Sequence, residues 1–266
     1  MDLLEEAARI IAKSKNLVAF TGAGISAESG IPTFRDPGGI WDQFDPTEIG
    51  TTGGFLTMIS RKPHLIKDFL RKTITTFEQA RPNPAHIGLV ELEKMGILRS
   101  VVTQNIDDLH SQAGNTRVFE VHGNLYRHRC LSCGRTVKTG KDELITKTKK
   151  ALEAEPFDIK TLAEEIFTRC TCGGLMRIDV VLFGEPVQEM AESFHEAASC
   201  DTMLVLGTSG VVYPAAGVPV EAKRKGAKVI EINPTTNAFG GITDVYIRSK
   251  SGDSMPKIID LVKELI

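Results

Sequence analysis

The feature that most restricts the fold is an alternation of short apolar runs with helical segments. The runs are "NLVAFTGAG" (16–24), "RSVVTQNID" (99–107), "TMLVLGTS" (202–209), "AKVIEINP" (227–234) and "DVYIRSK" (244–250), and each ends in small or polar residues. Continuous apolar runs of this length mark parallel strands buried on both faces. Helical patterns at 84–95, 188–200 and 214–225 lie between them, the last with Pro214 near its first turn. Strands alternating with helices predict an α/β fold with a Rossmann-like, doubly wound parallel sheet. Ligands of such sheets bind beyond the carboxyl ends of the strands. The end clusters "TGAG", "TQNID", "GTS" and "INP" should therefore converge on one crevice.

Two segments break the alternation. Residues 37–82 hold a helical stretch without a central strand, and 126–179 hold two cysteine pairs around a charged, helix-prone insert. Both read as insertions, a helical module and a metal-binding module, forming a smaller domain beside a sheet built from 1–36, 83–125 and 180–266. A chain of 266 residues accommodates that division.

The net charge of −2 gives no case for direct nucleic-acid binding. No run approaches the ~18 apolar residues of a membrane span, so no membrane partner is expected. The start, "MDLLEEAARIIAKSKN", has the pattern of an amphipathic helix rather than a signal peptide. These features predict a cytoplasmic protein.

Gly22, Gly24 and Ala27 fit the G-x-G-x-x-G/A spacing directly after a strand and before a predicted helix. Such glycines permit a tight turn and let a pyrophosphate approach the backbone at a helix start. Small residues also occur in purely structural strand–helix turns, so the motif is weak alone. The acid that grips a ribose at the end of a second strand, ~20 residues on, has no clear counterpart, which weakens a dehydrogenase reading.

"TQNIDDLH" (103–110) delivers Gln104, Asn105 and Asp107 to the same crevice. Helix capping accounts for one of these residues but not for three. His110 is expected on a helix surface or as a satisfied core residue. His122, in "VFEVHGNL", follows an apolar strand and precedes a glycine. A histidine there suits a general base because its ordinary pKa, ~6.5, lies near working pH. His64, His86, His128 and His195 read as structural.

Cys130/Cys133 and Cys170/Cys172 form C-x2-C and C-x-C pairs, each followed by glycine as knuckle turns require. Four thiolates suit a tetrahedral structural zinc. Cys200 stands alone before an apolar strand and reads as a core thiol. "IDVVLFGE" (178–185) is apolar and extended: either an ordinary core strand, or an edge able to accept a peptide by β-augmentation.

These clusters, in this order, resemble the sirtuins, the NAD-dependent protein deacylases of the silent-information-regulator family. The match comprises "GAGISAESGIPTFRDPGGIW", "TQNIDDLH", "VHGN", the cysteine pairs, "VVLFGE", "GTSGVVYPAA" and "INP", and spans nearly the whole chain. The resemblance implies NAD as co-substrate, a structural zinc held by Cys130, Cys133, Cys170 and Cys172, and an acyl-lysine protein or peptide as partner. It implies that Gly22, Ala23 and Gly24 hold the pyrophosphate, with Ser26 and Ala27 in the same cofactor loop. Thr33, Phe34, Arg35 and Trp41 belong to the mobile segment covering NAD. Gln104 and Asn105 approach the nicotinamide ribose, and Ile106 and Asp107 the nicotinamide. Gly207, Thr208 and Ser209 meet phosphate and ribose, Asn233 and Pro234 flank the adenosine ribose, and Gly252 and Asp253 lie near adenine. His122 is the general base, Asn105 joins it in catalysis, and Val181, Leu182, Phe183 and Gly184 line the peptide channel.

The implied chemistry is loss of nicotinamide, capture of the ribose by the acyl oxygen, and a His122-assisted attack of a ribose hydroxyl. The products are free lysine, nicotinamide and O-acyl-ADP-ribose. Three departures stand out. The second cysteine pair is one residue short of the usual C-x2-C. Gly210 follows "GTS" where many members have Leu, and Ile178 and Leu182 replace a common Pro and Phe. No Tyr-x-x-Arg pair, as in members that remove succinyl groups, occurs in "HLIKDFLRKTITT", where Leu70 and Thr73 stand. A neutral acyl group is therefore expected, because an unpaired buried carboxylate is costly. The rival enzyme reading is an ADP-ribosyltransferase or NAD hydrolase; a silent NAD-sensing scaffold is the non-enzymatic one.

Overall fold

The computed structural model describes residues 2–33, 50–155 and 157–266, so Phe34, Arg35 and Trp41 lie outside the described residues. In chain order the first elements are α1 (Leu3–Lys13), β1 (Leu17–Thr21), α2 (Ala23–Ser26), α3 (Thr52–Arg61), α4 (Pro63–Gln79) and α5 (Pro84–Lys94). β2 (Leu98–Thr103), α6 (Leu109–Ala113), β3 (Val118–Glu120), β4 (Gly123–Cys130), β5 (Thr136–Lys138), α7 (Lys141–Glu153) and α8 (Ile159–Ile166) follow. The remainder is β6 (Thr168–Arg169), β7 (Leu175–Val180), α9 (Met190–Ser199), β8 (Thr202–Leu206), α10 (Gly217–Arg224), β9 (Lys228–Ile232), β10 (Val245–Ile247) and α11 (Ser251–Leu265).

Six strands form a parallel sheet in the order β10-β9-β8-β1-β2-β3. The chain moves from β1 outward to β3, then returns to β8 on the other side of β1. The strand order therefore reverses between β1 and β8, and the crevice of a doubly wound sheet opens there. Strand β1 is buried along its whole length, and its side chains alternate between two cores. Leu17 and Ala19 face a layer made by α1, α5 and α11, with Ile11, Leu89 and Ile258 among its members. Val18 and Phe20 face α9 and α10, against Ala197 and Val218. Full burial of a side chain such as Phe20 contributes roughly 1.5–3 kcal/mol.

A separate antiparallel sheet, β5-β4-β7-β6, carries the cysteine pairs on its turns. The charged insert folds as α7 and α8, and Leu70 of α4 bridges their small core to that of α3 and α4. Phe77 of α4, Leu109 of α6, Leu125 and Tyr126 of β4, and Leu144 of α7 share one apolar cluster, which fastens the insertions to the sheet.

Several expectations need correction. The cofactor loop opens only a single-turn helix, α2, then a 3₁₀ turn over Ala27–Ser29, closed by Gly30 at φ +85°. The left-handed Gly30 ends these helical turns after seven residues. α10 starts at Gly217, leaving Pro214 in the preceding turn. "IDVVLFGE" divides in two: its first three residues end β7, an inner strand of the small sheet, and its last five form a turn. The N–H groups of Val181, Leu182 and Phe183 are already bonded, to His122 O, Glu185 Oε2 and Gly50 O. A free edge spanning 178–185 is therefore not what this stretch forms.

Candidate active site

The ends of β1 and β8 meet so closely that glycine is required on both. A Cβ on Gly24 would lie 2.7 Å from Gly207 Cα, and one on Gly22 would lie 2.8 Å from Thr208 Cβ. Gly22 N–H donates to Leu206 O at 3.0 Å, and Gly24 N–H to Gly207 O at 2.7 Å. The glycine spacing thus serves the joint between two strands as well as any ligand beside it. Ala23, next to them, is half-buried, as is Thr33.

The turn after β2 threads polar side chains through this joint. Gln104 Nε2 donates to Thr208 Oγ1 at 2.9 Å, and Asn233 Nδ2, from the end of β9, donates to Thr208 O at 2.8 Å. Asn105 is buried, and its Nδ2 donates to Gly22 O at 3.1 Å and Ser26 Oγ at 3.0 Å. Ser26 Oγ in turn donates to Asp107 Oδ2 at 2.7 Å, while Leu109 N–H donates to Asp107 Oδ1 at 2.9 Å. Burial raises the Asp107 pKa, although the bonds from Ser26 and Leu109 pull it down. Asp107, Ser26 and Asn105 thus form one bonded series, with Asp107 holding Ser26 rather than standing free. Ile106 is half-buried against Leu125 and its neighbours.

His122 occupies the junction between β3 of the large sheet and β4 of the small one. Its backbone is pinned on both sides: Val121 N–H donates to Thr103 O, and Val181 N–H to His122 O. Nδ1 lies 3.0 Å from Gln104 O, a carbonyl that can only accept, so Nδ1 carries the proton and Nε2 a lone pair. Burial lowers the His122 pKa, against a smaller opposing pull from the Gln104 carbonyl. The ring is therefore a neutral base in a fixed tautomer.

Other predicted positions lie at the rim. Ser209, Pro234 and Asp253 are exposed, and Phe183 and Gly184 are exposed beside half-buried Val181 and Leu182. Gly252 N–H donates to Glu28 Oε2 at 2.8 Å, so α11 starts on the cofactor loop. Two surface hollows elsewhere, of about 300 and 390 Å³, contain none of these residues.

Cys130, Cys133, Cys170 and Cys172 bring four Sγ atoms within 4.8 Å of one another. Cys130 Sγ lies 3.5 Å from Cys172 Sγ, and Cys133 Sγ 3.8 Å from Cys170 Sγ. A tetrahedral zinc with metal–sulfur bonds of ~2.3 Å requires sulfur–sulfur edges of ~3.8 Å. The short C-x-C pair reaches this geometry because Gly173 turns at φ +85°, and a Cβ on Gly174 would strike Cys130 Sγ at 2.8 Å.

Residues 22–214 match the model of the Sir2 family. The chain belongs to the Sir2 family. It is 47% identical over 263 residues to an NAD-dependent protein deacylase of Desulfosudis oleivorans, covering 98% of this chain and 96% of that relative. A solved Sir2 homologue–NAD complex is 35% identical, with a TM-score of 0.79 over 100% of this chain and 95% of that one. A Sir2 protein bound to a myristoylated histone peptide is 37% identical, with a TM-score of 0.71 over 99% and 98%.

Within this Sir2-family frame, several structural partners escape a sequence reading. Glu28 anchors Gly252, and Thr21 and Thr103 join hydroxyls at 2.8 Å beneath Asn105. Arg127 pairs with both Glu120 and Asp179, and Arg129 also pairs with Asp179, tying the two sheets together around His122. Of the two placements open to His110, helix surface or core, the structure gives the core, with Nε2 2.9 Å from Thr21 Oγ1. Only the residue spacing of "TQNIDDLH" hints at that placement; its host helix is too short to display a period.

Proposed function

We propose that the crevice between β1 and β8 binds NAD and that Asn105 and His122 carry the catalysis. The chain is an NAD-dependent protein deacylase of the Sir2 type. It transfers the acyl group of an acyl-lysine side chain to ADP-ribose and releases nicotinamide and free lysine. The observation that carries the residue assignment is the fixed tautomer of His122, whose Nδ1–H rests on the carbonyl of Gln104. That bond leaves Nε2 free to take a ribose hydroxyl proton, a step worth ~10²–10⁴-fold in rate.

Gly22, Ala23 and Gly24 offer backbone to the pyrophosphate. Gln104 and Asn105 face the nicotinamide ribose, and Asp107 steadies Asn105 through Ser26. Thr208, Gly207 and Ser209 meet phosphate and ribose, Asn233 and Pro234 the adenosine ribose, and Gly252 and Asp253 the adenine side. Val181 to Gly184 line the peptide channel. Because three N–H groups there are committed, an extended peptide would bond their carbonyls or displace the Phe183–Gly50 bond.

The four cysteines hold a structural zinc, which leaves no open coordination position. Thiols kept as metal ligands suit a reducing, cytoplasmic setting. Residues 1–36, 83–125 and 180–266 make the NAD-binding domain, and 37–82 with 126–179 the smaller one. The acyl group is neutral, as Leu70 and Thr73 offer no cation, and the partner is an acyl-lysine protein rather than nucleic acid.

The test is nicotinamide release with and without an acetyl-lysine peptide, repeated across acetyl, longer neutral and succinyl peptides. Peptide-dependent release with acetyl well above succinyl is expected. Equal release without peptide would turn the reading to NAD hydrolysis.

A further inference from the structure

The turn that lines the proposed peptide channel is closed by a side chain lying outside it. Glu185 N–H donates to Leu182 O at 3.0 Å, and Gly184, at φ +86°, holds the third position of that four-residue turn. Phe183 stands exposed at the tip, with its N–H on Gly50 O at 2.7 Å. The Glu185 carboxylate folds back on the turn. Its Oε2 accepts Leu182 N–H at 3.0 Å, and its Oε1 accepts the hydroxyl of Thr52, the first residue of α3, at 2.9 Å.

Arg177, three residues before the end of β7, holds both ends of this arrangement. Its Nη1 donates to Val180 O at 2.8 Å, where the strand ends, and its Nη2 to Glu185 Oε2, where the turn ends. The Arg177 and Glu185 side chains are 22% and 26% exposed, so their pairing is neither screened like a surface one nor stripped of water like a core one. A planar guanidinium that spans a carbonyl and a carboxylate fixes the separation of residues 180 and 185, which a point charge would not. The start of the turn is set by β4: Val180 is in register with Gly123, and Val181 N–H lies on His122 O at 2.9 Å. Its far end is reached by Arg177 and Thr52 through Glu185.

We propose that Arg177 is a positioning residue for the acyl-lysine peptide. Through Glu185 it fixes the 182–185 turn, and with it the Phe183 ring, and so sets peptide affinity without touching peptide, NAD or the reacting atoms. Without the guanidinium, the Glu185 carboxylate turns to water and releases Leu182 N–H. The tip then depends on the Phe183–Gly50 bond, which an incoming extended peptide can displace. A turn left loose in the free protein must be ordered on binding, at a cost in affinity. The proposal rests on the assignment of Val181 to Gly184 to the peptide channel.

Steady-state kinetics with an acetyl-lysine peptide test this. Arg177→Met, which keeps an aliphatic stem and removes both bonds, should raise the peptide KM by about tenfold. The kcat at saturating peptide and the KM for NAD should stay within about twofold, the pattern of lost binding rather than lost chemistry. Arg177→Lys keeps the charge but not the fork, and should raise the peptide KM by about threefold. A merely structural Arg177 would lower kcat, shift both KM values together, or leave all three unchanged, and each of these overturns the proposal. Glu185→Gln should also raise the peptide KM, and the double variant with Arg177→Met should exceed the larger single effect by no more than about twofold. Effects that multiply overturn the route through Glu185. If Arg177→Met does not fold, Arg177→Lys and Glu185→Gln decide by the same split of KM and kcat. Phe183→Ala is run alongside: an unchanged peptide KM there removes the channel assignment and the proposal with it. A raised KM in Phe183→Ala with none in Arg177→Met overturns the positioning role alone.

Discussion

Replacing Gly24 by alanine probes the joint on which the whole crevice depends. The added methyl would sit 2.7 Å from Gly207 Cα and 2.8 Å from Gly207 O, both of them backbone atoms that no rotamer change can move. Ordinary contact requires the two strand ends to part by about 0.7 Å, which weakens the 2.7 Å bond from Gly24 N–H to Gly207 O. Overpacking of this kind costs about 1–3 kcal/mol, and the strained hydrogen bond adds about 1 kcal/mol. At roughly 2–4 °C per kcal/mol for a chain of this size, Tm should fall by about 4–16 °C. Since the strands part where NAD is expected to lie, the KM for NAD should rise as well. Calorimetry and steady-state kinetics measure the two effects. Gly53→Ala in α3 is the control, because its Cβ would meet nothing within 4 Å and Tm should hold or rise slightly. An unchanged Tm and NAD KM in Gly24→Ala would refute the steric account of this glycine.

His122→Ala should lower deacetylation by about 10²–10⁴-fold, scored by chromatography of the acetyl peptide. Because burial lowers the His122 pKa, the lone pair survives acidification, and the acid limb of kcat/KM should fall below pH ~6.5. Removing metal with a chelator should release one zinc per chain, read with a metal indicator, and should melt the small sheet before the large one in hydrogen exchange. Burial tends to raise the Asp179 pKa, but bonds from Arg129, Gln188 and Arg127 outweigh it and leave the pKa depressed. Its stabilisation is therefore present above the unfolded pKa of ~3.9 and lost as pH falls through the lower folded value. Asp179→Asn should accordingly flatten the acid end of the stability curve measured by urea unfolding.

What could be read in the sequence divides along physical lines. β1, β8 and β9 are legible because strands buried on both faces need unbroken apolar runs. β3 is three residues long and pairs on only one side, so it leaves little trace beyond "VFE". The cysteine cluster is legible because thiol spacing and the glycines after it are local. The partnership of Gly24 with Gly207 is not, since it joins positions far apart in the chain. Nor is the burial of His110: α6 spans five residues, and nothing in a single turn announces which side faces the core. Asn105, Asp107 and Ser26 could each be picked out, but not that one proton chain binds them.

Strand β4 links two of these features directly. It begins at the residue after His122 and ends on Cys130, and Gly123 lies so close to Asp179 O that an added Cβ would stand 1.9 Å from it. The small sheet is consequently a poor cassette for transplantation. A designer exchanging it for another recognition module would have to reproduce the 123–179 contact to sub-ångström tolerance. Otherwise the new module would dock and the imidazole would point elsewhere.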